Sequence, residues 1–262
     1  NDHVNCGQST NDVIPTAGKM TSLRLLKNLK KEKDPLSNFR GMCYTESNSG
    51  TWHFCGIFPA MEQKVEGWVI MKKILFVASE AVPFIKTGGL ADVVGSLPKC
   101  FDKEYFDVRV MIPKYLCIKD KFLSNLTYVN HFYMDYLGQS RYVGILQYVY
   151  EGITFYFIDN ESYFWGEKPY GDWYYDLEKF SFFSQAALSA LPVIGWKPDI
   201  VHCHDWQTGL IPVYLKGRFG EGEFFRGIKS VMTIHNLKFQ GVWDVKTIQR
   251  FSGLPDYFFT PD

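Results

Sequence analysis

Three apolar runs in the chain end in side chains that can hold or move a proton. Ser79 and Glu80 follow the first run, the sequence HCHDW at 202–206 ends the second, and His235 and Asn236 end the third. Apolar runs of this length suit parallel strands that are buried on both faces. Ligands of parallel sheets bind beyond the carboxyl ends of the strands. One polar strand end is ordinary, but three together predict a site at one edge of a sheet.

The histidines of the HCHDW sequence have two possible uses. Alternation along a strand places His202 and His204 on the same face. A metal pair is one use, but no third ligand follows at a suitable spacing. The other use is a hydrogen-bonded pair, with one imidazole buried and the other facing a cleft. We favour the second, because a neutral imidazole can donate to a sugar hydroxyl and its pKa shifts easily.

A glycine-containing loop follows the first apolar run. Residues 86–94 read KTGGLADVV, and the sequence predicts that a helix begins within them. Two glycines allow the backbone amides to approach a ligand closely, and the start of a helix offers free N–H groups to an anion. Lys86 adds a positive charge suited to a diphosphate. The pattern matches neither the P-loop nor the G-x-G-x-x-G fingerprint. A tight turn with a solvated lysine is therefore the alternative.

Aromatic residues are concentrated in the middle of the chain. Phe, Tyr and Trp make up 17% of all residues, and thirteen of them lie within 155–183. We expect most of these rings in the core. Four of them lie in a stretch rich in Gly, Pro and charge: Tyr163, Trp165, Tyr170 and Trp173. Exposed rings beside carboxylates would suit a sugar ligand, whereas the alternative is a mobile loop that packs on itself.

The elements that position these residues alternate between strand and helix. The sequence predicts strands at 73–79, 108–112, 142–150, 153–158, 199–203 and 230–234, and helices at 90–101, 177–191 and near 210–218. Glu151 and Gly152 mark a hairpin between two of the strands. This order predicts an α/β fold with a Rossmann-like, doubly wound and mainly parallel sheet.

The composition excludes several classes of protein. With 28 basic and 28 acidic residues among 262, the chain has no net charge to attract nucleic acid or an anionic membrane. It is 46% hydrophobic, yet it has no apolar run of about 18 residues that would span a membrane. Its six cysteines are scattered without a C-x-x-C pair, which indicates reduced thiols in the cytoplasm.

Three segments resemble a known family. They are MKKILFVASEAVPFIKTGGLADVVGSLPK, PDIVHCHDWQTGLIPVYLK and TIHNLKFQGVW, and they resemble the amino-terminal half of bacterial glycogen synthase and plant starch synthases. The resemblance covers 71–262. It implies a GT-B enzyme, with two facing Rossmann-like domains, that transfers glucose from ADP-glucose to the non-reducing end of an α-1,4-glucan. It also implies retention of configuration, no cofactor and no catalytic metal.

The resemblance also implies roles for individual residues. His204 would contact the 6-hydroxyl of the transferred glucose, and Asp176 would lie near the reacting centre. The residues implied to bind substrate are Lys86, Gly88, Gly89, Asp92, Tyr163, His235 and Asn236. Lys86 and Gly89 would meet the phosphates and sugar of the donor. Tyr163 would be the tyrosine of the cleft.

The resemblance divides the chain into three parts. Residues 1–33 contain NDHVNCGQSTNDVIPTAGK, which resembles an internal motif of the aspartase and fumarase superfamily; Ser9, Thr10 and Asn11 match its carboxylate-gripping side chains. We expect a helix there without its own core, and no lyase activity. We expect 34–70 to be an irregular or disordered linker. Residues 71–262 would be the acceptor-side domain of a synthase, truncated before the carboxyl-terminal domain that holds most of the nucleotide site.

Three functions are therefore open. The leading one is half of a glucosyltransferase, inactive alone and located in the cytoplasm, or in a plastid if the source is a plant. The second is a non-catalytic glucan-binding module that uses its aromatic loop. The third is an interaction segment, derived from a lyase, in the first 33 residues.

Overall fold

A computed structural model describes residues 71–259 and the backbone of four short strands before them. The chain divides into two units, 1–70 and 71–262. In the first unit, β1 (Cys43–Glu46) pairs antiparallel with β2 (Trp52–Cys55), and β3 (Lys64–Val65) pairs antiparallel with β4 (Trp68–Val69). The helix predicted within 1–33 lies outside the described residues.

The hairpins of the first unit differ from the prediction of irregular structure across 34–70. The segments CYTE and WHFC contain residues that favour strands, and the sequence SNSGT between them contains turn-forming residues. Strands of two to four residues are too short to show a hydrophobic period, so the sequence alone did not predict them.

The second unit contains a seven-stranded sheet in the order β11-β10-β5-β6-β9-β8-β7. Its strands are β5 (Lys72–Val77), β6 (Phe106–Pro113), β7 (Thr127–Tyr136), β8 (Gln139–Tyr150), β9 (Ile153–Asp159), β10 (Ile200–His204) and β11 (Lys229–Thr233). The five strands from β11 to β9 run parallel, and β8 and β7 are antiparallel. The predicted Rossmann-like, mainly parallel sheet is therefore confirmed.

The order of the strands defines where a ligand can bind. From β5 the chain moves outward through β6 to β9, and it later returns to the other side of β5 to form β10 and β11. Such a reversal leaves a crevice at the carboxyl ends of the central strands. Ser79 and Glu80 lie just beyond the carboxyl end of β5, His204 is the last residue of β10, and His235 lies just beyond β11.

Tight turns join the antiparallel strands. Glu151 and Gly152 have φ of 50° and 76°, the left-handed values that a two-residue hairpin requires, and they confirm the predicted turn between β8 and β9. Leu137 and Gly138 make the same kind of turn between β7 and β8, with φ of 53° and 70°. Strand β7 was not predicted, because an irregularity between Tyr128 and Asn130 interrupts the alternation of its inward and outward residues.

The helices cover the sheet. They are α1 (Gly89–Ser96), α2 (Asp120–Leu123), α3 (Glu161–Phe164), α4 (Trp173–Ile194), α5 (Leu210–Lys216) and α6 (Val245–Ser252). Helix α4 begins at Asp172, whose carboxylate accepts hydrogen bonds from the N–H groups of Tyr174 and Tyr175, and it ends at the left-handed Gly195. Within the described residues, no helix is long and apolar enough to cross a membrane.

The sequence predicted that the last two strands, β10 and β11, are both buried, but the structure shows that they differ in exposure. Val201, Cys203 and His204 of β10 are buried. Residues 229–232 of β11 are exposed instead. This strand lies at the edge of the sheet, so its apolar side chains have a neighbouring strand on one side alone.

Close packing of α1 depends on a glycine. A Cβ atom at Gly95 would lie 2.3 Å from Val82 Cγ2 and 2.4 Å from the Val82 carbonyl oxygen. The second atom is backbone and cannot rotate away. We therefore expect Gly95→Ala to lower the free energy of unfolding by about 1–3 kcal/mol, as overpacking does. Urea unfolding measures this change.

Gly171→Ala is the matched control, since a Cβ atom there meets nothing within 4 Å. If both variants unfold at the same urea concentration, the packing of α1 against Val82 is not as described.

Candidate active site

A buried carboxylate holds the glycine-containing loop. Glu80 lies just beyond β5 and is buried. Its Oε1 accepts a hydrogen bond of 3.0 Å from Thr87 Oγ1, and its Oε2 accepts one from the Thr87 backbone N–H. Burial raises the pKa of Glu80, and the hydrogen bonds from Thr87 oppose that change. Glu80 therefore holds the end of the loop before α1, and backbone hydrogen bonds such as that from Val82 N–H to the Ala91 carbonyl hold its start.

The loop leaves the start of α1 open. A Cβ atom at Gly89 would meet nothing within 4 Å, and Gly88, the residue before the helix, supplies no side-chain cap. The first N–H groups of a helix have no partner within the helix, and they carry partial positive charge. The arrangement can therefore accept an anion at the position predicted from the sequence.

Lys86 and Asp92 lie beside this helix start and contact each other. Their Nζ and Oδ1 atoms are 2.7 Å apart, and both side chains are about half exposed. Exposed ion pairs contribute only about 0–1 kcal/mol. Lys86 can therefore exchange Asp92 for a phosphate at little cost in free energy.

Three imidazoles stack at the ends of β10 and β11. The rings of His202 and His204 lie 4.2 Å apart at 28°, so both are on one face, as alternation predicted. His204 Nδ1 and His235 Nε2 share a hydrogen bond of 2.9 Å. His202 Nε2 pairs with Thr233 Oγ1 at 2.7 Å. The hydrogen bond between His204 and His235 needs an N–H on only one of the two nitrogens, so both rings can be neutral.

Burial keeps these imidazoles neutral. It lowers the pKa of His202 to about 4 and that of His204 well below its usual value. The pKa of His235 is also lowered by burial, although Asp205 opposes the change. The site therefore presents hydrogen-bonding imidazoles without positive charge.

Asp205 ties β10 to β11 just beyond the stacked rings. Its Oδ1 accepts a hydrogen bond of 2.6 Å from the His235 N–H, and its own N–H donates to the Thr233 carbonyl at 2.9 Å. Its φ is 57°, which a residue other than glycine adopts at a cost in conformational energy. The sequence placed Asp205 among the candidate polar groups at this strand end, but it did not predict the hydrogen bond to the neighbouring strand.

The two histidines that share the Nδ1–Nε2 hydrogen bond, His204 and His235, differ in exposure. His204 is fully buried, and its Nε2 has no hydrogen-bond partner among the described residues. His235 is partly exposed and lies in front of His204. As placed here, His235 can contact a ligand directly, and His204 can act on it through the shared hydrogen bond. Asn236 follows in a turn, where its Oδ1 accepts from the Lys238 N–H at 2.9 Å.

Asp176 lies in the first turn of α4 and is buried against a lysine. Its Oδ1 is 2.5 Å from Lys179 Nζ, and its Oδ2 accepts a hydrogen bond of 3.0 Å from the Gly171 N–H. Lys179 Nζ also donates to the Pro169 carbonyl at 2.5 Å. In this arrangement Asp176 holds the loop before α4.

The four rings of the aromatic loop, which spans 163–173, differ in burial and in what they contact. Tyr163 is buried against the Phe182 ring, and its hydroxyl donates to Glu178 Oε1 at 2.9 Å. Tyr170 instead reaches the strand end, where its hydroxyl lies 2.7 Å from Ser79 Oγ. Trp165 and Trp173 are 64% and 47% exposed. Of the two tyrosines, Tyr170 therefore lies at the strand end; the sequence named it among the four loop rings but gave it no individual role.

In the part of the chain that the structure describes, no three His, Cys, Asp or Glu side chains are grouped so that they could hold a metal ion. The glycine loop, the open helix start and the neutral imidazoles lie at adjacent strand ends. Together they place a helix start that can accept an anion and uncharged hydrogen-bonding rings at the carboxyl edge of an α/β sheet, where ligands of such sheets bind.

Comparisons with known proteins identify the family to which this α/β domain belongs. A family model described as the starch synthase catalytic domain matches residues 73–262. The chain therefore belongs to the starch synthase catalytic domain family.

Its relatives are glycogen synthases. The chain is 65% identical over 192 residues to glycogen synthase of Lachnospira eligens and 60% identical over 192 residues to that of Lachnoclostridium phytofermentans. Each alignment covers 73% of this chain and 40% of the relative. The chain thus spans about two fifths of the length of these relatives. The comparisons give no support to the resemblance of residues 1–33 to the aspartase and fumarase superfamily.

A solved structure is also similar. It is the catalytic domain of starch synthase IV from Arabidopsis thaliana bound to ADP and acarbose. The TM-score is 0.62 at 30% sequence identity, and the match covers 73% of this chain and 39% of that one.

The buried histidines predict how stability depends on pH. Folded His202 stays neutral down to a pKa of about 4, whereas the unfolded chain protonates it near 6.5. The unfolded state therefore binds more protons between these values, and His202 lowers the free energy of unfolding by up to about 3 kcal/mol as the pH falls through them.

The raised pKa values of Glu80 and Asp205 act in the opposite direction, so the difference between wild type and His202→Gln isolates the histidine. Urea unfolding between pH 7.5 and 4.5 should show a steeper loss for wild type. Equal slopes would mean that His202 is not buried and neutral.

Glu80→Gln tests the carboxylate that holds the loop. Glutamine keeps one acceptor oxygen but is uncharged, so the hydrogen bond from the Thr87 N–H loses its charge assistance and the Thr87 hydroxyl must turn to accept from the new NH₂ group. We expect the Thr87 amide to exchange its hydrogen at least about tenfold faster, and stability to fall by about 1–3 kcal/mol. Hydrogen exchange read by NMR or mass spectrometry measures this. Glu104→Gln, at an exposed position, is the control, and unchanged exchange at Thr87 would contradict the assignment.

Proposed function

We propose that residues 71–262 form the acceptor-side half of a retaining glucosyltransferase. The reaction moves glucose from ADP-glucose to the non-reducing end of an α-1,4-glucan. The observation that carries the proposal is the open glycine-containing loop beside uncharged imidazoles, in a chain of the starch synthase catalytic domain family. The names of the relatives and the ADP and acarbose of the plant structure are consistent with this reaction.

The donor diphosphate would lie at the start of α1. The amide at Gly89 would approach the phosphate oxygens, because no side chain stands in the way there. Gly88 lies beside Glu80, so its amide would have to exchange that carboxylate for a phosphate oxygen. Lys86 would leave Asp92 and pair with a phosphate. Positive charge there stabilises the ADP that departs, and exclusion of water strengthens the effect.

The glucosyl group would lie against His235. A retaining transfer passes through a state in which the sugar carries positive charge. A charged imidazole would oppose that charge, whereas a neutral one donates a hydrogen bond to a hydroxyl without repulsion. His204, buried behind it, would orient the ring and select its tautomer. We place Asn236 beside the same hydroxyls.

The contacts of Asp176 and Tyr163 favour a role in positioning the loop before α4 over direct contact with the substrate. Asp176 would set the loop that carries Tyr170 to the strand end, through Lys179 and Gly171. Tyr163 would support the same loop from within the core. Direct contact of either residue with substrate requires a rearrangement of these contacts.

The remaining parts of the site would come from residues outside this chain. The matched 192 residues make up 40% of each relative, and we propose that the carboxyl-terminal portion of such a protein supplies most of the nucleotide contacts. The scattered cysteines are compatible with action in the cytoplasm, or in a plastid of a plant. The proposal requires neither a cofactor nor a metal.

Transferase activity tests the proposal. The purified chain alone should release no ADP from ADP-glucose and glycogen. A chimera of residues 71–262 with the remaining carboxyl-terminal residues of the Lachnospira eligens synthase should release ADP. In that chimera Lys86→Ala should lower kcat/KM at least about tenfold, the loss expected of a phosphate contact.

Lys119→Ala, an exposed lysine at the start of α2, is the control and should have no effect. Robust ADP release by the chain alone would contradict the division of the site between two halves.

A non-catalytic glucan-binding module is the second candidate, favoured by the exposed rings of Trp165 and Trp173. It predicts co-sedimentation with glycogen and an inactive chimera.

A further inference from the structure

A cavity of about 220 Å³ lies beside the turn between β7 and β8. The turn itself, the second half of α4, the segment after α5 and the end of α6 border it. None of its lining residues belongs to the candidate active site. We call it the arginine cavity, and its walls include Tyr136, Gly138, Gln185, Arg218, Arg250 and Gly253.

A buried glutamine fixes the position of Arg218 in this cavity. Gln185 lies on α4 and is 2% exposed. Its Oε1 accepts a hydrogen bond of 3.2 Å from Arg218 Nη1, and its Nε2 donates to the Asp135 carbonyl at 3.1 Å. Because both ends of the amide are used, the direction in which it holds the guanidinium is set. A guanidinium has several N–H donors, and this bond uses one of them.

The charged end of Arg250 also lies at the cavity wall. Its Cζ atom is 5.5 Å from the centroid of the Phe251 ring, which is buried and lines the cavity. The end of α6, which carries both residues, is held by the Tyr214 hydroxyl, which donates to the Ser252 carbonyl at 3.0 Å. This bond also occupies one of the carbonyls whose partial negative charge at a helix end would repel an anion.

The positive charge of the cavity is not neutralised by the described residues. No ion pair among them includes Arg218 or Arg250. Asp135 also lines the cavity and carries a carboxylate. Alternation along β7 turns that side chain to the face opposite Tyr136, whereas Tyr136 faces α4, where Gln185 holds Arg218. The two guanidiniums are therefore available to a ligand.

Two available guanidiniums in one cavity fit an oxyanion. Each guanidinium can donate two parallel N–H bonds, so a pair from different elements suits the several oxygens of a phosphate better than the two of a carboxylate. The volume of about 220 Å³ is below the roughly 300–1,000 Å³ of most small-molecule pockets, so it suits a small phosphate rather than a nucleotide.

The backbone beside the arginines leaves room for such a ligand. Gly138 and Gly253 have φ of 70° and 63°, and a Cβ atom at either would meet nothing within 4 Å. The phosphates of a single-stranded nucleic acid fit less well. Proteins that bind such strands stack the bases on accessible rings, whereas the aromatic rings of this cavity, Tyr136 and Phe251, are buried.

We propose that the arginine cavity binds the phosphate group of a small ligand through Arg218 and Arg250. The ligand is inorganic phosphate or a small phosphate monoester. Bound phosphate would join α6 to α4 and the β7–β8 turn, and it would stabilise the folded domain by mass action. The proposal is independent of the proposed function, because no residue of the cavity takes part in that reaction.

Titration with inorganic phosphate, followed by NMR, tests the proposal. The full 262-residue chain would carry Lys86→Ala throughout, which removes the other proposed phosphate contact. At pH 7.5 the amide signals of Gly138 and Gly253 and the Nε–H signals of both arginines should shift and saturate. Arg218→Ala and Arg250→Ala should each raise the Kd at least about tenfold, the loss expected of a hydrogen bond to a charged group.

Arg226→Ala is the matched control, because Arg226 is an exposed arginine outside the cavity. It should bind phosphate within about twofold of the unsubstituted cavity. Circular dichroism establishes that each variant is folded. Signals at Gly138 and Gly253 that do not move with phosphate would overturn the proposal, as would a Kd that neither cavity substitution changes.

Two further ligands define the chemistry of the site. Acetate should bind at least about tenfold more weakly than phosphate, because it has fewer oxygens to share between two guanidiniums. Equal affinity for acetate would overturn the assignment to phosphate. Glycerol 3-phosphate distinguishes the two sources. Binding as tight as that of inorganic phosphate would support a monoester as the ligand, and weaker binding would support free phosphate.

Discussion

The hydrogen bond from the His235 N–H to the Asp205 carboxylate fixes the ends of β10 and β11 relative to each other. It holds Asp205 at a left-handed φ, and it sets the place of the His235 ring against His204. The stack of three imidazoles then depends on the parallel register of these strands. A shift of one residue would turn His202 and His204 to the other face. Local strain at Asp205 is compatible with folding because its neighbours fix it on both sides.

Burial gives this edge its electrostatic character. The same low polarity that keeps the imidazoles uncharged also raises the pKa of Glu80 and Asp205. Positive charge beside the imidazoles is carried by Lys86 and the start of α1, where the proposed diphosphate would bind. The imidazole side stays neutral. This separation of charge would serve the proposed transfer, because positive charge stabilises the departing phosphate.

Much of the fold could be predicted, because apolar runs and turn residues are local signals. The parallel strands and the Glu151-Gly152 turn follow from such signals. The hydrogen bond between Tyr170 and Ser79 does not, since it joins residues 91 positions apart across a loop of variable length. The order of His204 and His235 was not predictable either. Alternation places a residue on a face, but the depth of each ring depends on the neighbouring strand.

The account depends most on three neutral, hydrogen-bonded imidazoles at this edge, and NMR can observe them directly. Long-range ¹⁵N–¹H spectra of the chain at pH 6 would report the protonation state of each histidine, assigned by substitution. We expect His202, His204 and His235 each to show one protonated and one unprotonated ring nitrogen. Imidazolium signals from His202 or His204 at that pH would contradict the account, because a charged ring could not occupy the buried stack.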